Sequence, residues 1–424
     1  MTFQYTDEQL NILNQGQNVY SVNKNYVKRY HDRVNPPQLV VAKDTQDLLP
    51  NETNTISLKS GQQFKVVKTC SDPRTGFDGM AVAPIVDGEP DYSSVAVVAA
   101  ATDIMTIDAV TAVFSDIDPN RNNGYYLSPQ YQVADAFVQE VLDDERVKQV
   151  TQLSGYSQSA YVLKVGDKYG IPTTTFNAWF HYGSLSDEEK EFIKSHPGLF
   201  IDYRKKMDSV VWTNDGNNPK LGGYDESLGT IYWTAGTSHD IEDWKFDKKT
   251  GRVVDAKTGK PIMSGPATVF AQSARQMEQF NSLKSKWQKT GGGLSSEETI
   301  FLDAGQGAIL GSSMAEAAKL GLDDMTSLKK QADSEAEALW SRVDFSMYSH
   351  LSPWEVQDIF ASHGVTYETI VSNFHEYTQT KVEAMENLST TFDTLKTKLD
   401  SAIEEKLALD NQLAGEFKTW YTGL

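Results

Sequence analysis

Gly155-Tyr156-Ser157-Gln158-Ser159 stands between a β-rich run, Val147 to Leu153, and a helical stretch that begins near Ala160. The spacing is a variant of the Gly-x-Ser-x-Gly elbow, in which a tight strand-to-helix turn lifts a serine hydroxyl above a sheet and small neighbours let the two elements pack closely. The following helix supplies a positive dipole end and free N–H groups for a developing oxyanion. The chemistry this points to is nucleophilic attack on a carbonyl. Such a serine needs a general base and an acid that keeps the base in the right tautomer.

Downstream in the α/β region the histidines are His181, His196 and His239, with His31 upstream. His181 and His196 read as packing and helix-end residues. His239 is preferred, because it lies in a polar loop after the strand-like run Thr230 to Ala235, where the chain order serine, acid, histidine places a base. For the acid, Asp202 sits inside a β-run and pairs locally, whereas Asp208 falls in the loop at that strand's end and is chosen; Asp215, in an Asn-Asp-Gly turn, is the fallback. Gln158 N–H and Thr102, which follows the run Val95–Ala101, are the candidate oxyanion donors. Trp179, Phe180, Tyr182 and Trp212 are aromatic residues that either line an acyl pocket or fill the flank of the sheet. Tyr156, Trp179 and Trp212 are the pocket candidates taken forward.

These residues need a frame. From Gln63 to about Val254, short β-rich runs alternate with helical stretches, which predicts a largely parallel sheet covered by helices. Val95–Ala101 has no polar alternation, as a strand buried on both faces requires. Ser186 with Glu189 forms a capping box, Pro129 stands at the start of the helix at Tyr131, and Asp247 to Pro261 reads as a hairpin with two Lys-Thr-Gly turns. Beyond Thr268 the text turns helical, broken by Thr290 to Gly293 and restarted by a Ser295/Glu298 capping box. Met385, Leu388, Phe392, Leu395, Leu399 and Ile403 follow three- and four-residue steps, the seam of a coiled coil or long helical hairpin that a partner helix must cover. The expected organisation is an α/β domain over residues 1–267 and an all-helical C-terminal domain over 268–424.

Composition narrows the function classes. The chain has 424 residues, with 39 Lys plus Arg against 58 Asp plus Glu, a net charge of −19. That balance excludes binding to nucleic acid driven by counterion release, and the cation cluster Lys24 to Arg33 reads as a solvated helix face. Cys70 is the sole cysteine, so no intramolecular disulfide can form. The N-terminus lacks a basic segment followed by an apolar one, so no Sec signal is expected, and no apolar run approaches the roughly 18 residues of a membrane span. Asp116-x-Asp118-x-Asn120-x-Asn122 imitates a calcium loop, but Arg121 and Leu127 occupy the positions that need Gly and Glu, so an Asx-rich turn is the reading. Gly305-x-Gly307-x-x-x-Gly311 follows a helix start and not a strand, which makes it a helix-packing motif and not a nucleotide fingerprint. No metal or cofactor is expected.

In order and spacing, Val95–Asp103, Ser128–Leu142, Leu153–Trp179 and Leu199–Val211 resemble the class 3 (fungal-type) lipase family of α/β-hydrolases, over roughly Val66 to Asp247. The family signatures Gly-His-Ser-Leu-Gly-Gly, Thr-Phe-Asn-Ala and Asn-Tyr-Arg-x-x-x-Asp meet Gly155–Ser159, Thr175–Ala178 and Asp202–Asp208 of this chain. The resemblance implies an α/β-hydrolase-like fold with Ser157 as nucleophile, Asp208 as acid, His239 as base and Thr102 in the oxyanion motif. This chain departs from the pattern at Tyr156 for histidine, Ser159 for glycine and Ala101 for glycine. The whole layout is similar to reverse-arranged lipase effectors of the bacterial type VII secretion system. That similarity implies export without a Sec signal, a helical domain that pairs with small helical partner proteins, and transient contact with a membrane surface. The expected activity is hydrolysis of a lipid ester, phospholipid or glyceride. The rival reading is a hydrolase scaffold weakened by its altered glycines and acting as an interaction protein.

Overall fold

A computed structural model describes residues 3–30, 48, 53–101, 129–196, 198–212, 228, 230–263, 265–289 and 294–422. It divides into two compact units, Met1–Met263 and Ser264–Leu424. The division falls about one helical turn before the compositional break at Thr268, because the helix Gly265–Lys289 accommodates Pro266 in its first turn, where no intrahelical N–H is needed.

The first unit is built on one mixed sheet of nine strands among the described residues: β1 (Thr55–Ser57), β2 (Gln63–Asp72), β3 (Phe77–Val86), β4 (Glu89–Pro90), β5 (Val95–Ala99), β6 (Val150–Tyr156), β7 (Thr173–Phe176), β8 (Phe200–Lys205) and β9 (Ile231–Thr234). The order across the sheet is β1-β2-β3-β5-β6-β7-β8-β9, with β4 hairpinned onto β3. From β5 to β9 every pairing is parallel. From β1 to β5 every pairing is antiparallel. The sheet is therefore less uniformly parallel than the sequence alternation predicts. The difference lies in β3, which that alternation omits. Pro84 stands inside its apolar run Met80–Val86, and a Cβ on Gly79 just before that run would press on the Phe77 ring at 2.8 Å and on Val98 O at 3.2 Å. A turn closed by Gly76 N–H to Asp72 O, with Gly76 at φ 77°, returns the chain from β2 to β3.

All five residues of β5 are buried, and the strand lies between the antiparallel and parallel parts. Val95, Val97 and Ala99 on one face, with Leu153 of β6, pack with Ala134, Phe137, Val138 and Val141 of the helix Gln130–Leu142 and with Val162, Leu163 and Val165 of the helix Val162–Tyr169. On the alternate side of β6, Ser154 Oγ accepts from Asn14 Nδ2 at 2.7 Å, which brings the helix Asp7–Asn14 across that face. The Ser186/Glu189 capping box opens the helix Asp187–Ser195 as expected. Phe246–Val253 and Val254–Pro261 are single bridges around two Asx turns, in which Asp247 and Asp255 each accept backbone N–H groups two and three residues on. The hairpin expected there is thus a double turn with minimal ladder. In the helix Lys24–Tyr30, Tyr26 and Val27 are buried while Lys28 and Arg29 are exposed, the solvated face expected of this part of the cluster; Arg33 lies outside the described residues. Burial pushes the half-buried Cys70 thiol up to about 12, which leaves it unreactive.

The second unit is helical, with long helices Gly265–Lys289, Ser296–Trp340 and Asn373–Thr422 and a shorter one, Pro353–Ser362. The Ser295/Glu298 capping box is formed. Phe280 lies against Gly305, and Leu320 against Gly265, so the first two helices run antiparallel. Cβ atoms on Gly307, Gly311 and Gly321 would meet Ile403, Leu399 and Met385 at 3.3, 3.0 and 2.7 Å, which makes the second and last helices antiparallel as well. The glycine motif is indeed a packing motif. The chain's own helix covers Met385, Leu399 and Ile403 of the seam, whereas Leu388 and Leu395 stay 44% and 50% exposed. No described helix is long and apolar enough to cross a membrane. The calcium-like run Asp116 to Leu127 lies outside the described residues, as do Thr102, His31 and Asp215.

Candidate active site

Parallel strands point their C-terminal ends to the same edge of a sheet, and loops at that edge gather residues that are far apart in the chain. Three loops do so here. Ser157 follows β6 directly, Asp208 lies three residues past β8, and His239 lies five residues past β9. His239 Nε2 stands 2.8 Å from Ser157 Oγ, and His239 Nδ1 stands 2.7 Å from Asp208 Oδ2. With a carboxylate oxygen at that distance, Nδ1 is the nitrogen that carries the proton, and the Nε2 lone pair accepts from the serine hydroxyl. Asp208 is fully buried, and its second oxygen accepts Val210 N–H at 2.9 Å, so the carboxylate cannot swing away from the imidazole.

Local chemistry explains the serine. Its φ of 56° is the left-handed value that a side-chain residue adopts only when its surroundings impose it. A Cβ on Gly155 would run into the carbonyl of Ser159, so the glycine before the serine is obligatory. Ser159 has no such restriction. Its hydroxyl accepts Tyr156 N–H at 2.7 Å and donates to Tyr156 O at 2.9 Å, pinning the turn. The chain then continues as a 3-10 turn, Ser157–Tyr161, before the helix proper starts at Val162, two residues later than the sequence places it. Gln158 is buried at the head of that turn. The other expected oxyanion donor, Thr102, lies outside the described residues. Tyr20 hydroxyl donates to the carbonyl of Ala101, just before it.

The loops that carry Asp208 and His239 are tied to each other. Lys206 N–H and Met207 N–H donate to Thr234 O and Gly236 O, both at 3.0 Å. Asp255 Oδ2 accepts Ala235 N–H and Thr234 Oγ1–H, each at 3.1 Å. The Ala235 amide, the leading cause, holds the Asp255 carboxyl down at about 2. Tyr156 hydroxyl and Asn177 Nδ2 both donate to the main-chain carbonyl of His239, at 2.6 and 2.9 Å. Burial, reinforced by Asp240 and Asp208, pushes the Tyr156 phenol well up. Lys205 Nζ donates to Asp240 O at 3.3 Å and lies 4.9 Å from the centroid of the Trp244 ring, and burial lowers its pKa.

The remaining candidates separate cleanly. Asp202 is fully buried against Arg204 at 2.7 Å and also receives hydrogen bonds from Thr175 and Tyr182, the local pairing expected of it. His196 stacks on Phe192 at the end of its helix, with Nδ1 2.8 Å from Phe192 O, and His181 is buried beside a short 3-10 turn. Phe180 and Tyr182 belong to the core. Of the pocket candidates, Trp179 borders the serine, its backbone N–H donating to Ser157 O at 2.9 Å, and its indole Nε1 is buried without a hydrogen-bond partner. Tyr156 is half-buried and commits its hydroxyl to the carbonyl of His239. Trp212 ends the short helix Ser209–Trp212. Asn177, Lys205 and Asp255 are the site residues that the sequence reading did not single out. The signal for Asn177 is its type: at φ 44° a side-chain residue is tolerated best as Asn. Comparison of the chain with protein-family models, with curated proteins and with solved structures found no match in any of the three.

Proposed function

We propose that the chain is a carboxylic-ester hydrolase on an α/β-hydrolase-like domain, with Ser157 as nucleophile, His239 as general base and Asp208 as the acid that orients it. The observation that carries this reading is the unbroken relay of 2.8 and 2.7 Å from serine to imidazole to buried carboxylate, assembled from three loops at one sheet edge. In this mechanism Ser157 Oγ attacks the ester carbonyl while His239 Nε2 takes its proton. Asp208 stabilises the imidazolium that forms. N–H groups at Gln158 and Thr102 hold the oxyanion. Collapse expels the alcohol, protonated by His239, and a water activated by the same nitrogen releases the acyl group. The hydroxyl of Ser159 takes over the job of closing the elbow, which favours an active turn over a weakened one.

A phospholipid or glyceride is the proposed substrate class, by the resemblance of the motifs. Export of type VII kind and pairing of the helical unit with small helical proteins belong to the same proposal, and the exposed Leu388 and Leu395 support the pairing. The test is release of acid from short-chain esters together with covalent labelling by a fluorophosphonate. Ser157→Ala is expected to abolish labelling and to lower turnover by at least about 10³-fold. Unchanged turnover in that variant would show that the hydrolysis belongs to another group.

A further inference from the structure

Side chains from three neighbouring parallel strands converge on the main-chain carbonyls of the segment that carries His239. Tyr156, the last residue of β6, donates to His239 O at 2.6 Å. Asn177, just past β7, donates to the same oxygen at 2.9 Å and reaches Ser238 O at 3.5 Å. Lys205, the last residue of β8, donates to Asp240 O at 3.3 Å. A carbonyl oxygen has two lone pairs, and Tyr156 and Asn177 use both of those on His239. The segment between β9 and the 3-10 turn Ile241–Asp243 is irregular backbone, so sheet pairing does not hold it at residue 239. The Tyr156 ring also lies against the imidazole, with centroids 5.2 Å apart and planes tilted by 31°. One residue therefore touches the base and is bonded to the nucleophile.

We infer that Tyr156 and Asn177 are positioning residues of the base, a two-donor clamp on the His239 carbonyl that keeps the imidazole in register with both Ser157 and Asp208. The inference rests on the reading of that relay as catalytic. An imidazole swings about its own Cα, so a shift of that backbone moves Nε2 off the serine, and a misplacement of about 1 Å costs on the order of 10²-fold in rate. Burial keeps the phenol protonated and so a donor across the working pH range. At Asn177 a short amide is the side chain that both accepts the left-handed backbone and reaches the carbonyl.

Two variants of the full chain separate this role from others. Tyr156→Phe keeps the ring and removes the donor; Asn177→Asp keeps the shape and sets an acceptor against the carbonyl. With a short-chain nitrophenyl ester, each is expected to lower kcat about five- to tenfold with KM changed by less than about twofold. Tyr156→Phe should leave the thermal midpoint within about 2 °C of the parent, whereas the carboxylate that Asn177→Asp buries should lower it by more. The downfield NMR signal of the proton between His239 Nδ1 and Asp208 should broaden in both. Parent-like kcat and an unchanged proton signal would overturn the clamp. A rise in KM alone would return Tyr156 to the substrate pocket and overturn it equally. If the parent chain neither turns over ester nor labels at Ser157, the catalytic reading fails by itself, and the proton signal still decides whether the two donors hold the imidazole.

Discussion

Two aspartates compete for one histidine, and burial alone does not choose between them, since both are shielded from water. The partner does. Asp202 has a guanidinium 2.7 Å away, a charge-assisted pair that neutralises it in the core, whereas Asp208 has the imidazole and one backbone N–H. Asp208→Asn tests the assignment at this scale. An amide that donates to Nδ1 would move the ring proton to Nε2, where it faces the serine hydroxyl donor to donor. The expected result is a fall in kcat of about 10³- to 10⁴-fold with the fold intact, read by steady-state kinetics beside a thermal melt.

At the scale of the element, the elbow and the helix behind it store opposite tendencies. Gly155 allows the Ser159 carbonyl to close over β6, so Gly155→Ala is expected to cost about 2–4 kcal/mol, measured by denaturant unfolding. Ser159→Gly removes the two hydroxyl bonds and frees the backbone of the unfolded chain, and should cost about 1–2 kcal/mol in the same measurement. In the helix Val162–Tyr169, Asp167 is buried with Oδ1 unpartnered, and burial, with Glu189 nearby, raises its pKa from 3.8 to about 7. A carboxyl raised in the fold holds its proton where the unfolded chain has lost it. Stability therefore falls as pH climbs from 3.8 to about 7, and the deficit is complete above that. Asp167→Asn should raise the midpoint by about 2–4 °C at pH 8 and leave it unchanged at acid pH below the unfolded value, a comparison made by differential scanning calorimetry.

For the molecule as a whole, the two compact units have separate cores, one closed by a sheet and one by antiparallel helices joined through glycines. Gly305 faces the Phe280 ring within the second unit. Gly305→Leu is expected to lower the melting of the long helices, followed by circular dichroism, through overpacking of about 1–3 kcal/mol. The proposed ester hydrolysis at 25 °C should remain at the parent level, because every residue of the relay lies in the first unit. A parallel loss of hydrolysis would show that the two units depend on each other.

Much of this was legible in the sequence because it is local. Apolar runs and capping boxes mark β5 to β9 and the helices between them, and the elbow is five consecutive residues whose types state their own turn chemistry. Chain order then points to His239, and the loop at the end of β8 points to Asp208, with Asp215 left as the fallback. The antiparallel β3 was not legible, since Pro84 inside its apolar run argues against a central strand and only pairing with β2 and β5 shows that it is one. Nor could spacing show that the Ser159 hydroxyl bonds to both backbone groups of Tyr156 or that the Tyr156 hydroxyl reaches the carbonyl of His239. Tyr156 and His239 are 83 residues apart, and Asn14 and Ser154 are 140 apart. Periodicity reports which face of an element is buried; what that face meets depends on how distant segments close on one another, and that was decided by the tertiary structure alone.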